Sequence, residues 1–337
     1  MEALESRTLP EMLWERARRG GGEVAFRVKD ASGAFAPRTW DWVAGEVRRL
    51  SRALAAAGVQ PQDRVGLLAP STIEWILAEW AIVAAGAVSV PLFAVLSPGE
   101  TAGYLSDVGA RWVLVDAPER AETLSAIYRE KGATPPRWMT LEALFSAKDA
   151  GGGQVPPAGD PDLPATIACT SGTTGRPKGV LLTHANYLAL LRALPSAGIL
   201  DDSLRESGIL LFLPFPHSFA RLILLASCMF GVPVALSDPR TLRDDAKLLQ
   251  PGLIPSVPLV FQRLREGTLS ALRAAPLPRR LMGSAALAVG GMAARQRQRK
   301  GTVSAWLAPF HRAADRMVLG KIRAALGLSR AHALLSG

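Results

Sequence analysis

The sequence predicts an α/β protein with mostly parallel sheets flanked by helices. Between residues 64 and 131, short strand-like apolar runs alternate with helical runs, the rhythm of successive βαβ units. The run Thr166–Cys169 is apolar and β-branched, as a buried strand would be. At 337 residues, 49% apolar and 20% charged, the chain has ample material for a core and falls outside the disordered class.

In order, Thr8-Leu9-Pro10-Glu11 is a capping box with Pro in the first turn, opening a helix to about Arg19 that Gly20 to Gly22 end. Residues 24–28 and 35–38 form a hairpin around 30–33. Thr39 caps a helix to residue 57, with Val43, Val47, Leu50 and Leu54 on one face, stopped by Gly58. Strands at 64–68, 87–91 and 112–116 then alternate with helices at 73–85, 98–108 and 119–131. Residues 148–164, rich in Gly and Pro, form an exposed connector. Strands follow at 166–169 and 180–182, and a helix opens at His184. Further on come strands at 209–213, 232–236 and 252–257, a helix from the turn at 214–219 to Phe230, one capped by Thr241, and one begun by Pro258.

The two cysteines, Cys169 and Cys228, form no metal or C-x-x-C pattern, which suits a reducing cytoplasm. The N-terminus carries acids and no apolar run, so no signal peptide is expected. Residues 81–96 are apolar but short, with Gly86 and Pro91. Residues 208–236 hold three prolines and Arg221. Both read as buried α/β core and not as membrane spans. The net charge of +10 is concentrated: residues 261–337 hold 14 Lys/Arg against Glu266 and Asp315. Such a face suits an anionic membrane, or an acidic part of the protein beyond this sequence; no nucleic-acid motif accompanies it.

The most informative stretch is TIACTSGTTGRPKGVLLTHAN, residues 166–186. Between its two strands, Gly172, Gly175 and Gly179 permit positive φ and close approach, so backbone N–H groups can curl around a phosphate. Hydroxyls and the ammonium of Lys178 add donors and charge. The spacing is not that of a Walker A loop, since Gly179 follows Lys178.

Thr170, Ser171, Gly172, Thr173, Thr174, Gly175, Pro177, Lys178, Gly179 and Val180 resemble the phosphate-loop signature of AMP-forming adenylating enzymes (acyl-CoA synthetases, luciferases, peptide-synthetase adenylation domains). That signature is an aromatic residue followed by T-S-G-T-T-G-x-P-K-G-V. Cys169 departs from it, at a position that backs the loop. The segments GVQPQDRVGLLAPSTIEW and GAVSVPL resemble the same family, so the likeness covers nearly the whole chain. TLRDDAKLLQPGLIPSVPLVFQRL and the tail FHRAADRMVLGKIRAALGLSRAHALLSG are most similar to long-chain acyl-CoA synthetases.

The resemblance implies the N-terminal part of the adenylate-forming fold, with residues 1–337 an incomplete AMP-binding domain. It implies attack of a fatty-acid carboxylate on the α-phosphorus of ATP, with Mg²⁺, then displacement of AMP by coenzyme A. The carboxylate needs no general base; the protein must hold a polyanion in line and stabilise shifting charge. Ser171 to Lys178 would hold the β- and γ-phosphates, and Thr170 would help ligate Mg²⁺. His217 would line the acid's site, and Ser336 and Gly337 would approach adenine. Residues 214–219 lack the Asp that amino-acid-activating relatives use, which favours an amine-free acid. Arg221 follows Ala220 where long-chain relatives often read F-E-R, so its usual ion pair is expected to be missing.

The family's Y-G-x-T-E and T-G-D segments, its hinge and its small C-terminal domain have no counterpart in this sequence, so the catalytic Glu and Lys fall beyond Gly337. Negligible ligase activity is therefore expected of these 337 residues alone. Two alternatives stand beside the long-chain reading: an aryl or medium-chain acid ligase, and a non-catalytic module binding phosphate or anionic membrane. The expected location is the cytoplasm, with the inner membrane face as a peripheral partner.

Overall fold

A computed structural model describes residues 2–148, 159–170, 178–198 and 200–336. The elements begin with α1 (Leu9–Gly20), β1 (Val24–Lys29), β2 (Phe35–Thr39), α2 (Trp40–Ala56), β3 (Arg64–Leu68), α3 (Ile73–Ala84) and β4 (Val88–Pro91). Next are α4 (Pro98–Asp107), β5 (Trp112–Val115), α5 (Pro118–Glu130), β6 (Arg137–Thr140), α6 (Leu141–Ser146), β7 (Pro164–Thr170), β8 (Lys178–Thr183) and α7 (His184–Ala193). After a 3₁₀ turn come α8 (Leu204–Ser207), β9 (Ile209–Leu211), α9 (Ser218–Phe230), β10 (Val234–Leu236), α10 (Leu242–Leu249) and β11 (Leu253–Ser256). The last part holds α11 (Pro258–Arg273), α12 (Leu277–Lys300), α13 (Ala308–Ala314), a π-helical turn (Asp315–Leu319), α14 (Gly320–Ala325) and β12 (Ala333–Ser336).

The chain divides into two units, Met1–Glu206 with Leu213–Leu236, and Ser207–Phe212 with Ser237–Gly337. The first holds a six-stranded sheet in the order β6-β5-β3-β4-β7-β8, parallel throughout except for the antiparallel pair β7–β8. β4 and β5 are buried at every residue, as central strands of a sheet covered on both faces must be. Val90, Leu105, Val113 and Tyr128 belong to the core that α4 and α5 close over this sheet. The same unit pairs β1 parallel to β10 and antiparallel to β2. In the second unit β11 lies parallel to both β9 and β12.

Local chemistry sets the boundaries. Thr8 and Glu11 form the expected capping box of α1, and Thr39 accepts from the Trp42 N–H at the start of α2. The apolar run of α3 is buried on nearly every side, and among the described residues no helix is long and apolar enough to cross a membrane. The α/β alternation from residue 64 to 131 appears as expected, within a residue or two at each end. β6 and α6 were not expected: four residues give too short a pattern to read, although Thr140 caps α6 as Thr39 caps α2. Thr241 precedes α10 as expected, but its hydroxyl donates to the Asp245 carboxylate at 2.8 Å and bonds no helix N–H.

Candidate functional site: the hairpin of β7 and β8

The two strands flanking the phosphate-loop motif pair in register: Ile167 with Leu181, Ala168 with Val180, Cys169 with Gly179, and Thr170 with Lys178. Residues 171–177 therefore join two strand ends held side by side. Ser171, Gly172, Thr173, Thr174, Gly175 and Pro177, with the side chain of Thr170, lie outside the described residues. β8 is an edge strand, and Val180 and Leu181 are half exposed on it.

Gly179 is glycine for want of space. It lies in β8 without a positive φ, and a Cβ there would meet Ile167 Cγ2 at 2.6 Å, Val108 Cγ1 at 3.2 Å and the Tyr104 hydroxyl at 3.5 Å. The freedom expected of this glycine is thus used as close approach of β8 to the body of the sheet. Cys169, its register partner, packs against the same core, beside the buried phenol of Tyr104. Burial pushes the Cys169 thiol up, and the Tyr104 contact pulls weakly the other way, so the side chain acts as a small neutral packing group. Where the signature carries an aromatic ring on this strand, α4 supplies one from the side.

Beneath the hairpin sits a charged cluster. Arg221 Nη2 of α9 donates to Glu79 Oε1 of α3 at 2.5 Å and to Thr166 Oγ1 of β7 at 2.6 Å. The Tyr187 ring of α7 lies 5.5 Å from the same guanidinium. This corrects the expectation that Arg221 lacks an ion pair: the acid absent at position 220 is replaced by one from another helix. Burial pushes the Glu79 carboxyl up and the guanidinium opposes it. Arg221 is 5% exposed and Glu79 12%, so each charge depends on the other. Four elements, one of them the strand entering the loop, are tied at a single point. The sequence signal was Arg221, the one charge in α9, and Glu79 in the middle of the apolar run of α3.

His184 opens α7 directly after β8. Its Nδ1 accepts from the Leu9 N–H at 3.2 Å, satisfying one of the donors orphaned at the start of α1. Burial drives its pKa down from 6.5 to about 4, with Glu11 opposing, so the ring is neutral at physiological pH.

His217 is exposed at the N-cap of α9, where Nδ1 accepts from the Phe219 N–H at 3.2 Å. Its turn is pinned from below: the Phe215 N–H donates to Ser71 Oγ at 2.9 Å, and the Phe215 ring packs on Trp75, with centroids 5.6 Å apart. Ser336 ends β12 opposite Ser256; Gly337 lies outside the described residues. Among the described residues no three of His, Cys, Asp and Glu gather as a metal site. A Mg²⁺ at this hairpin would depend on phosphate oxygens and hydroxyls, the donor set that suits that ion when it arrives with a nucleotide.

In sequence and fold the chain is similar to known proteins. Residues 13–306 match the family model described as AMP-binding enzyme. The long-chain-fatty-acid–CoA ligase FadD15 of Mycobacterium tuberculosis is 30% identical over 346 residues, covering 97% of this chain and 55% of that protein. Long-chain-fatty-acid–CoA ligase 6 of Homo sapiens is 30% identical over 66% of this chain and 35% of its own length. The chain spans about half the length of the curated relatives it matches. Among solved structures, the N-terminal domain of FACL13 from Mycobacterium tuberculosis superposes with TM-score 0.63 at 27% identity, over 80% of this chain and 65% of that one. O-succinylbenzoate coenzyme A synthetase (MenE) from Bacillus subtilis, in complex with ATP and magnesium ion, gives 0.64 at 23% identity, over 76% and 65%.

Proposed function

The chain belongs to the AMP-binding enzyme family, and from that premise we propose that it forms the triphosphate-gripping part of an ATP-dependent, AMP-forming acyl-CoA ligase. The observation that carries the reading is the paired closure of β7 and β8 at Thr170 and Lys178 around the S-G-T-T-G-R-P segment. Thr170, Ser171, Gly172, Thr173, Thr174, Gly175 and Lys178 hold the β- and γ-phosphates, and Thr170 adds a hydroxyl to Mg²⁺. The chemistry asked of them is electrostatic: keep a polyanion in line while charge moves onto pyrophosphate.

The acid is a long-chain fatty acid and the second acceptor is coenzyme A. Two relatives at 30% identity carry long-chain ligase names, and the turn at 214–219 offers no carboxylate for an amine-bearing substrate. By the family resemblance, His217 serves the acid, and Ser336 and Gly337 serve adenine. The basic residues after position 260 add peripheral contact with anionic membrane.

The test is acid-dependent release of pyrophosphate from ATP, measured on the complete gene product that carries these residues. Long-chain acids should support release and aryl acids should not. Equal rates with both, or none with either, would contradict the assignment.

A further inference from the structure

The ion pair of Arg221 and Glu79 leaves part of the guanidinium unused. Nη2 donates to Glu79 and to Thr166, whereas Nη1 is buried without a hydrogen-bond partner. One turn before Glu79 on α3, Trp75 is in the same position. Its ring is fully buried and packs on Phe215, and its Nε1 has no partner. Buried indole and guanidinium N–H groups ordinarily find an acceptor.

Trp75, Glu79 and Arg221 line one cavity of about 30 Å³, walled mainly by α3 and α9 and lying wholly within the first unit. Helix spacing brings them together. Trp75 and Glu79 stand four residues apart on α3, and Arg221 shares a face of α9 with Leu224 and Leu225. Ile76, Trp80 and Val83 join those leucines in making the rest of the wall apolar.

The size and the donors select the occupant. The space is far below the roughly 300–1,000 Å³ of organic-ligand sites and above the ~10–15 Å³ that admits a water. An apolar occupant would leave both N–H groups unpaired. A halide would accept from them only beside the carboxylate of Glu79, and a cation would lie against the guanidinium. A water both accepts and donates. We propose that this cavity binds an ordered water, which accepts from Trp75 Nε1 and Arg221 Nη1 and donates to the Glu79 carboxylate. It joins α3 to α9 by a second route beside the ion pair. A donor on the carboxylate also favours the ionised form that burial opposes. The site is independent of the adenylation reading, and its test contains no nucleotide.

Crystals of the 337-residue chain, soaked in sodium bromide and measured at the bromine absorption edge, test the site. The expected result is a density peak about 2.7–3.2 Å from both Trp75 Nε1 and Arg221 Nη1, refining as oxygen with no anomalous signal. In solution, the chain labelled with ¹⁵N at its indoles should show a cross-peak between the Trp75 N–H and water. Its sign should be that of a long-lived contact, and the N–H itself should exchange slowly. The Trp75 signal is identified by its loss in Trp75→Phe, whose folding is checked by circular dichroism; if that variant is unfolded, the crystal of the unaltered chain decides. A cavity without density, or one closed by donors turned to protein acceptors, would overturn the proposal. An anomalous peak between the two nitrogens would also overturn it, and would make the site one for an anion.

Discussion

Arg221 and Glu79, 142 residues apart, meet at 2.5 Å under the hairpin, and the guanidinium nitrogen they share also holds Thr166 on the strand entering the phosphate loop. Removing one member leaves the other charge buried without its partner. Arg221→Ala is expected to cost about 3–5 kcal/mol. The double variant Arg221→Met, Glu79→Leu removes both charges and should recover most of that loss. Urea unfolding of the three chains checks this; a double variant no more stable than Arg221→Ala would show that the pair is not the unit of stability here.

Gly179→Ala places a methyl where Ile167 Cγ2 already lies, at 2.6 Å. Overpacking of this kind costs about 1–3 kcal/mol. Since Ile167→Ala vacates the space, the two substitutions should cost less together than the sum of each alone. A double-mutant cycle on melting temperature measures the coupling, and strict additivity would contradict the close approach of β8 to β7.

His184 links stability to pH. Its folded pKa of about 4 lies below the ordinary 6.5, so in that window the unfolded chain binds the extra proton. Its contribution is therefore complete above pH 6.5 and is lost as pH falls toward 4. Between neutral pH and about pH 5 the loss should be about 2 kcal/mol. His184→Asn keeps an acceptor for the Leu9 N–H and removes the titration. Denaturant midpoints for both chains across that range read the difference; parallel pH profiles would mean that the ring is not held neutral.

The alternation of strands and helices was legible because each element carried its own signal: Thr8 and Thr39 at helix starts, and apolar runs of the right length between turns. The stems of the hairpin were legible from Ile167, Ala168, Val180 and Leu181 for the same reason. The Arg221–Glu79–Thr166 cluster was not, because its members come from three separated elements and no local pattern joins them. β6 was too short to show periodicity. α12 was hidden by its composition, with Ala, Gly and Arg on all sides and no apolar stripe to mark a buried face. For Gly179 the sequence allowed both positive φ and close approach, and its neighbours Ile167, Val108 and Tyr104 make it the second.

The claim on which the functional account rests is that the segment between Thr170 and Lys178 holds a triphosphate. Calorimetric titration of the 337-residue chain with ATP and Mg²⁺, AMP and inorganic tripolyphosphate tests it most directly. The account predicts that ATP binds more tightly than AMP, that tripolyphosphate competes with ATP, and that Lys178→Ala weakens ATP by about tenfold or more at unchanged melting temperature. Equal affinity for ATP and AMP, or an unchanged ATP affinity in the Lys178→Ala chain, would contradict it.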